Sequence, residues 1–100
     1  MQAEVKPSVP AELAVLRKQI DQIDAEIMAA LARRFAVTVI VGQLKARQGL
    51  NSVDPVREQE KLQSLRNLAR EMGLDADFVQ NLFQHVFNEV VKSHRSFLDK

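Results

Sequence analysis

The chain has 100 residues, 46% of them apolar, and a formal net charge of +1, which predicts one domain and excludes a generally basic nucleic-acid binder. It has five Phe but no Trp or Tyr, which favours an aliphatic helical bundle over a β-sandwich. Without Cys it forms no disulfide, and no apolar run approaches the roughly 18 residues of a membrane span. We therefore predict an all-α, cytoplasmic protein with no nucleic-acid or membrane partner.

The chain is predicted to open with a flexible leader, residues 1–10, followed by one helical domain, residues 11–100. Ser8 is the predicted N-cap of the first helix, with Pro10 in its opening turn. This helix should reach about Gln48 and end at Gly49 in a left-handed conformation.

One face of the first helix carries apolar residues in alternating steps of three and four, interrupted once by Arg34. The apolar members are Leu13, Leu16, Ile20, Ile23, Ile27, Ala30, Val37, Val41 and Leu44. A helix of this length is a rod of roughly 50 Å. Because one 100-residue globule cannot enclose such a rod, we predict that it spans a larger assembly.

Two shorter helices are predicted after it. Asp54 and Pro55 are an N-cap and a first helical position, so the second helix runs from Pro55 to about Met72 and ends at Gly73. Its predicted apolar face is Leu62, Leu65, Leu68, Ala69 and Met72. Asp75 caps the third helix, whose predicted apolar face is Val79, Leu82, Phe83, Val86, Phe87, Val90 and Phe97.

Charged residues on apolar faces are the candidate site residues. Arg34 lies on the apolar face of the first helix, and Lys45, eleven residues later, points within some 20° of it at about 16 Å along the axis. A buried guanidinium requires a partner, so the two cations predict a site for a small anion, best a carboxylate. Glu58 is an acceptor on the second helix, and His94 continues the apolar face of the third.

Arg17 lies about 26 Å from Arg34 and is rotated by roughly 100° from it on a straight helix. If both arginines serve one small ligand, Arg17 must come from a second copy of the chain. The spacing allows this arrangement and does not require it. The sequence holds no evident nucleophile, no cysteine, and no second histidine within one turn of either histidine, so we predict no metal and no cofactor, and catalysis by positioning and electrostatics.

Four segments resemble the all-helical class of chorismate mutases, in the order of that family. They are LRKQIDQIDAEIMAALARR at 16–34, VGQLK at 41–45, DPVREQEKL at 54–62 and GLDADFVQNLFQHVF at 73–87. The resemblance implies an intertwined homodimer of three-helix chains with shared active sites. It also implies the pericyclic rearrangement of chorismate to prephenate in aromatic amino-acid biosynthesis, as an isomerase.

The resemblance also implies residue roles. Arg17 resembles the arginine that reaches a substrate carboxylate from the partner subunit, and Arg34 the arginine that binds the other carboxylate within the subunit. Lys45 resembles the lysine that donates to the ether oxygen of the breaking C–O bond.

On the second helix, Asp54, Arg57 and Glu58 match the family pattern D-x-x-R-E, in which the glutamate and a nearby backbone group hold the ring hydroxyl. The third helix departs from the family at two substrate-binding positions. His94 stands where relatives have Gln or Glu supporting the lysine, and Val90 where they often have a small hydroxyl residue. Histidine can still donate there, or a slipped register could present Ser93 instead.

These departures leave the substrate open. An isochorismate-pyruvate lyase and a 4-amino-4-deoxychorismate mutase use a similar scaffold and cation set. A non-catalytic helical dimerisation module is the alternative from another class. Retention of Arg17, Arg34, Lys45, Arg57 and Glu58 together favours the enzyme, because a packing module would place leucine at position 34 more favourably.

Overall fold

The computed structural model describes residues 10–51 and 53–98, with side chains up to residue 95. Within that range the chain forms three helices and no strand: α1 (Ala11–Arg47), α2 (Pro55–Glu71) and α3 (Ala76–Leu98). The all-α prediction is confirmed. The end of α1, both limits of α2 and the start of α3 fall within one residue of those predicted, whereas α1 begins at Ala11, after the predicted opening turn. The predicted leader, apart from Pro10, lies outside the described residues. So does Ser8, the predicted N-cap of α1.

Glycines end α1 and α2 as predicted. Gly49 and Gly73 have φ values of 68° and 75°, in the left-handed region that favours glycine. The residue after each glycine donates its N–H back to the last turn, Leu50 to the Lys45 carbonyl and Leu74 to the Ala69 carbonyl, both at 2.8 Å. The two helices therefore end in the same Schellman arrangement.

Aspartates begin α2 and α3. Oδ1 of Asp54 accepts from the Arg57 N–H at 3.0 Å, and Pro55 occupies the first turn, where no donor is needed. Oδ1 of Asp75 accepts from the N–H groups of Asp77 at 2.8 Å and Phe78 at 3.1 Å. Each side chain thus satisfies backbone donors that have no partner within the helix.

The chain divides after Arg34 into two units, and the second, residues 35–100, contains the buried core. The core consists of Leu62, Leu65 and Ala69 from α2 with Val79 and Phe87 from α3. Phe83 packs its ring edge-on against Phe87, with 6.3 Å between the centroids.

The buried stripe of α2 and α3 is narrower than predicted. Leu68, Met72 and Leu82 were expected on the apolar faces, but they are exposed. Each of these two helices buries its stripe chiefly against the other, and one neighbouring helix covers a narrower arc than a surrounding bundle would.

In the first unit, residues 1–34, the predicted apolar face of α1 is exposed. Leu16, Ile20, Ile23 and Ile27 are each more than half accessible. By length and composition, α1 is the one helix in the described part of the chain that could cross a membrane. A single such helix is weak evidence, since helices that pack on other helices have the same composition, and the absence of a membrane partner stays a prediction.

Candidate active site

Glu58 lies in the first turns of α2, where the Asp54 cap fixes its backbone. Its N–H donates to the Asp54 carbonyl at 3.0 Å. Its side chain is half-buried, and Oε1 accepts a hydrogen bond from Nε2 of Gln84 on α3 at 3.3 Å. A carboxylate on α2 is thereby tied to a neutral donor on α3. Arg57, beside it, is exposed.

His94 is buried, with 4% of its surface accessible, so its predicted place on the apolar face of α3 is confirmed. Its Nε2 lies 2.8 Å from the carbonyl oxygen of Thr38 on α1. Because a carbonyl can only accept, Nε2 carries the hydrogen and donates it. Nδ1 is buried and has no hydrogen-bond partner among the described residues.

Gly42 makes room for the histidine ring. A Cβ built on this residue would lie 2.8 Å from Nε2 and 3.0 Å from Cγ of His94, and closer still to Cδ2. The lone glycine of α1 is therefore a packing site for the imidazole. It lies one turn after Thr38, so α1 provides both the space for the His94 ring, at Gly42, and its hydrogen-bond acceptor, the Thr38 carbonyl.

Lys45 lies three residues after Gly42, in the last turn of α1, and is half-buried. Its carbonyl belongs to the helix terminus, where it accepts from Leu50. Its ammonium makes no hydrogen bond or ion pair with any residue the structure describes. Val90, one turn before His94 on α3, is also half-buried.

Arg34 and Arg17 belong to the first unit. Arg34 is half-buried with its Nη1 atom fully covered, and burial lowers the pKa of its guanidinium because the charged form loses hydration. Arg17 is exposed. The two predicted arginines therefore differ in environment, and Arg34 is the one that bears a desolvation cost.

Sequence reasoning missed Gln84 and Thr38 and gave Gly42 no role. A glutamine on a helix has the same pattern as a solvated residue, and a backbone carbonyl leaves no signal in a sequence. Gly42 did carry a signal, since a glycine inside a long helix costs roughly 0.5–1 kcal/mol relative to alanine and needs a packing reason.

The groups described so far can bind an anion and orient a hydroxyl. Arg34 and Lys45 are half-buried cations, Glu58 is a half-buried carboxylate with a fixed donor, and His94 is a buried imidazole. No group of three or more His, Cys, Asp or Glu side chains suited to a metal occurs among the described residues. The chain is therefore an all-α protein whose first unit carries Arg34, and whose second unit carries Lys45, Glu58 and His94, as polar groups suited to an anionic small molecule.

The chain belongs to the chorismate mutase type II family, whose sequence model matches residues 16–95. It is 37% identical over 79 residues to the T-protein of Enterobacter agglomerans, a match that covers 79% of this chain and 21% of that protein. It is 31% identical over 88 residues to the bifunctional chorismate mutase/prephenate dehydratase of Escherichia coli (strain K12), covering 88% and 23% of the two chains.

A relative of similar length is the chorismate mutase of Methanocaldococcus jannaschii, 28% identical over 89 residues, which are 89% of this chain and 90% of that protein. The chain thus spans about a fifth of the T-protein and of the bifunctional enzyme and nearly the whole of a protein named for the mutase alone.

Proposed function

We propose that the chain is a chorismate mutase that converts chorismate to prephenate. The observation that carries the proposal is the family match over residues 16–95, together with a chorismate mutase of which the chain covers 90%. In this reaction one C–O bond breaks as one C–C bond forms, without a covalent enzyme intermediate. The protein needs to hold the substrate in its folded conformation and stabilise charge on the ether oxygen.

The proposed roles follow the chemistry of each group. Arg34 binds a substrate carboxylate, because its planar fork suits a bidentate pair and its partial burial strengthens the interaction. Lys45 donates to the ether oxygen, where negative charge grows in the transition state. Glu58 accepts a hydrogen bond from the ring hydroxyl, with Asp54 and Arg57 beside it in the first turn of α2.

His94 has a narrower role than a general donor. With its Nε2 hydrogen on the Thr38 carbonyl, the neutral ring offers Nδ1 as an acceptor and not as a donor. Donation to the ether oxygen through Nδ1 needs the protonated ring. We therefore assign the ether oxygen first to Lys45, and propose that His94 and Val90 shape the wall beside it.

The proposed assembly is a homodimer in which Arg17 of each chain reaches the site of its partner. Two observations support it: the exposed apolar face of α1 in the first unit, and the height and rotation that separate Arg17 from Arg34 on one helix. A cytoplasmic location stays a prediction.

An assay of the purified chain tests the activity. With chorismate and isochorismate supplied separately, we expect prephenate from the first and no pyruvate from the second. Lys45→Ala should abolish turnover, and Arg47→Ala, which removes an exposed cation from the same last turn, should leave it near wild type. Pyruvate from isochorismate would instead identify a lyase, and no product from either substrate would favour a non-catalytic dimerisation module.

A further inference from the structure

Gln84 is held at both hydrogens of its side-chain amide. Its Nε2 donates to Oε1 of Glu58 at 3.3 Å and to Oδ1 of Asn88, one turn later on α3, at 3.4 Å. An amide nitrogen has two hydrogens, and here each has an acceptor. The amide is therefore fixed with its nitrogen, rather than its oxygen, towards the carboxylate of Glu58.

A donor in this position acts on Glu58 in two ways. It gives the carboxylate a charge-assisted hydrogen bond, which is stronger than one between neutral groups. It also restrains the side chain of Glu58, which would otherwise sample several rotamers at a half-buried helix surface. Because Oε1 is engaged, the other carboxylate oxygen is the one left to accept from a ligand.

A purely structural link between α2 and α3 is already supplied elsewhere. Nη1 of Arg66 on α2 contacts Oδ1 of Asp77 and Oε1 of Gln80 on α3, each at 2.8 Å. Those bonds are shorter than the contact between Gln84 and Glu58, and they join the same two helices. The contact of Gln84 therefore adds less to the packing of the helices than to the orientation of one carboxylate.

We propose that Gln84 is a positioning residue: it holds the carboxylate of Glu58 in one orientation, so that the other carboxylate oxygen accepts the ring hydroxyl of the substrate. The assignment of Glu58 to that hydroxyl rests on the proposed function. Gln84 itself touches Glu58 and not the reacting atoms, and it acts through the glutamate.

The first test replaces the donor while keeping the shape. Gln84→Met has similar length and no hydrogen-bond donor, so Glu58 loses one hydrogen bond and its fixed orientation. We expect kcat/KM for chorismate to fall about 10-fold, the equivalent of one such bond. Most of the change should appear in KM, because the hydroxyl is held in the ground state as well as in the transition state.

The second test uses a charge in place of the amide. Gln84→Glu puts two carboxyl groups about 3.3 Å apart, and groups that close share one proton. While the proton is shared, the new carboxylic acid donates to Glu58 as the amide did. When it is lost, the two carboxylates repel each other and Glu58 moves away. The activity of Gln84→Glu should therefore be near wild type at low pH and fall as the pH rises far enough to remove the shared proton.

Gln63→Glu is the matched control. Gln63 on α2 donates to Oδ1 of Asn67 at 3.1 Å, the same four-residue amide pair on an exposed helix surface, without a carboxylate partner. It should keep the wild-type kcat/KM and the wild-type pH profile. The charged residues next to the pair, Arg57 and Lys61 on α2 and His85 and Glu89 on α3, are the same in every variant, so their titration cancels in the comparison.

The outcomes separate this proposal from the proposed function. If the wild-type protein converts chorismate, a wild-type kcat/KM for Gln84→Met or a wild-type pH profile for Gln84→Glu overturns the positioning role. If the wild-type protein has no activity, NMR can still test the contact between Gln84 and Glu58. The side-chain amide resonances of Gln84 should shift in Glu58→Gln while those of Gln63 stay in place, and unshifted Gln84 resonances would overturn the contact.

Discussion

The first half of α1 and the pair formed by α2 and α3 carry similar apolar patterns, but the apolar side chains are exposed in the first region and buried in the second. In the pair, Leu65 and Val79 have less than a tenth of their surface accessible, whereas Ile20 and Ile23 of α1 are each more than half accessible. The helical period is the same in both regions. The difference teaches that periodicity predicts which face of a helix is apolar, and that the rest of the assembly determines what covers it.

The exposed face of α1 has an energetic consequence. Covering a half-exposed Leu or Ile contributes about 1 kcal/mol, so a partner helix that covers several of them in each chain offsets a substantial part of the cost of association. The α2 and α3 pair needs no partner for its five core residues. We therefore expect the two regions to respond differently to substitution, and the variants below are arranged from the largest expected effect to the smallest.

Complementation tests whether the first half of α1 serves a second chain. Arg17→Ala and Arg34→Ala should each lower kcat/KM at least about 100-fold, because in the proposed site each arginine pairs with a substrate carboxylate. If Arg17 acts in the partner's site, a mixed dimer has one intact site. A refolded equal mixture should then regain about a quarter of wild-type activity, since half of the dimers are mixed and each has one working site of two.

Verified mixed dimers that remain inactive would place both arginines in the site of a single chain. The exposed first half of α1 would then have no demonstrated role in the site of a partner, although its greater exposure would remain.

A charge on the exposed face of α1 tests what covers it. Ile23→Glu should convert the protein to a monomer and abolish activity, because a two-fold interface would bury two unpaired carboxylates. Gln22→Glu adds the same charge at the neighbouring exposed position, off the apolar face, and should leave the assembly intact. Analytical ultracentrifugation measures both. A dimeric and active Ile23→Glu would show that this face of α1 is free of any partner.

A matched pair of leucines on α2 tests the self-contained core. Leu65→Ala should lower the free energy of unfolding by about 2–4 kcal/mol, because it opens a cavity between α2 and α3. Leu68→Ala makes the same change at a position that is 44% accessible and should cost less than about 1 kcal/mol. Urea denaturation measures both. Equal costs would mean that the outer side of α2 is also covered, and that the pair is not self-contained.

The sequence predicted the limits of the helices better than the burial of the side chains on them. The helix limits follow from local chemistry, the aspartate caps and the left-handed glycines, and these were confirmed at Asp54, Gly49, Gly73 and Asp75. The exposure of Leu68 could not be predicted, because the width of a buried stripe depends on how many helices pack against it.

The candidate site divides in the same way. The burial of His94 was predictable from its spacing on α3 and is observed. Its acceptor is the backbone carbonyl of Thr38, 56 residues away along the chain, and no side-chain pattern marks such an atom. The donor to Glu58, Gln84, is 26 residues away and belongs to a residue type that is ordinarily solvated on a helix. Contacts of this kind depend on tertiary structure.

The smallest expected effect concerns the contact between the end of α1 and α3, and its sign depends on the background. Gly42→Ala puts a Cβ 2.8 Å from Nε2 of His94, so the ring must move and its bond to Thr38 is strained. We expect a loss of about 1–2 kcal/mol in the free energy of unfolding.

In a His94→Ala background the ring is absent, and the same substitution should instead stabilise the protein by about 0.5–1 kcal/mol, because alanine is the better helix former. Urea denaturation of the four proteins completes the double-mutant cycle. If Gly42→Ala has the same effect in both backgrounds, the glycine does not accommodate His94, and the α1–α3 contact described here does not hold in solution.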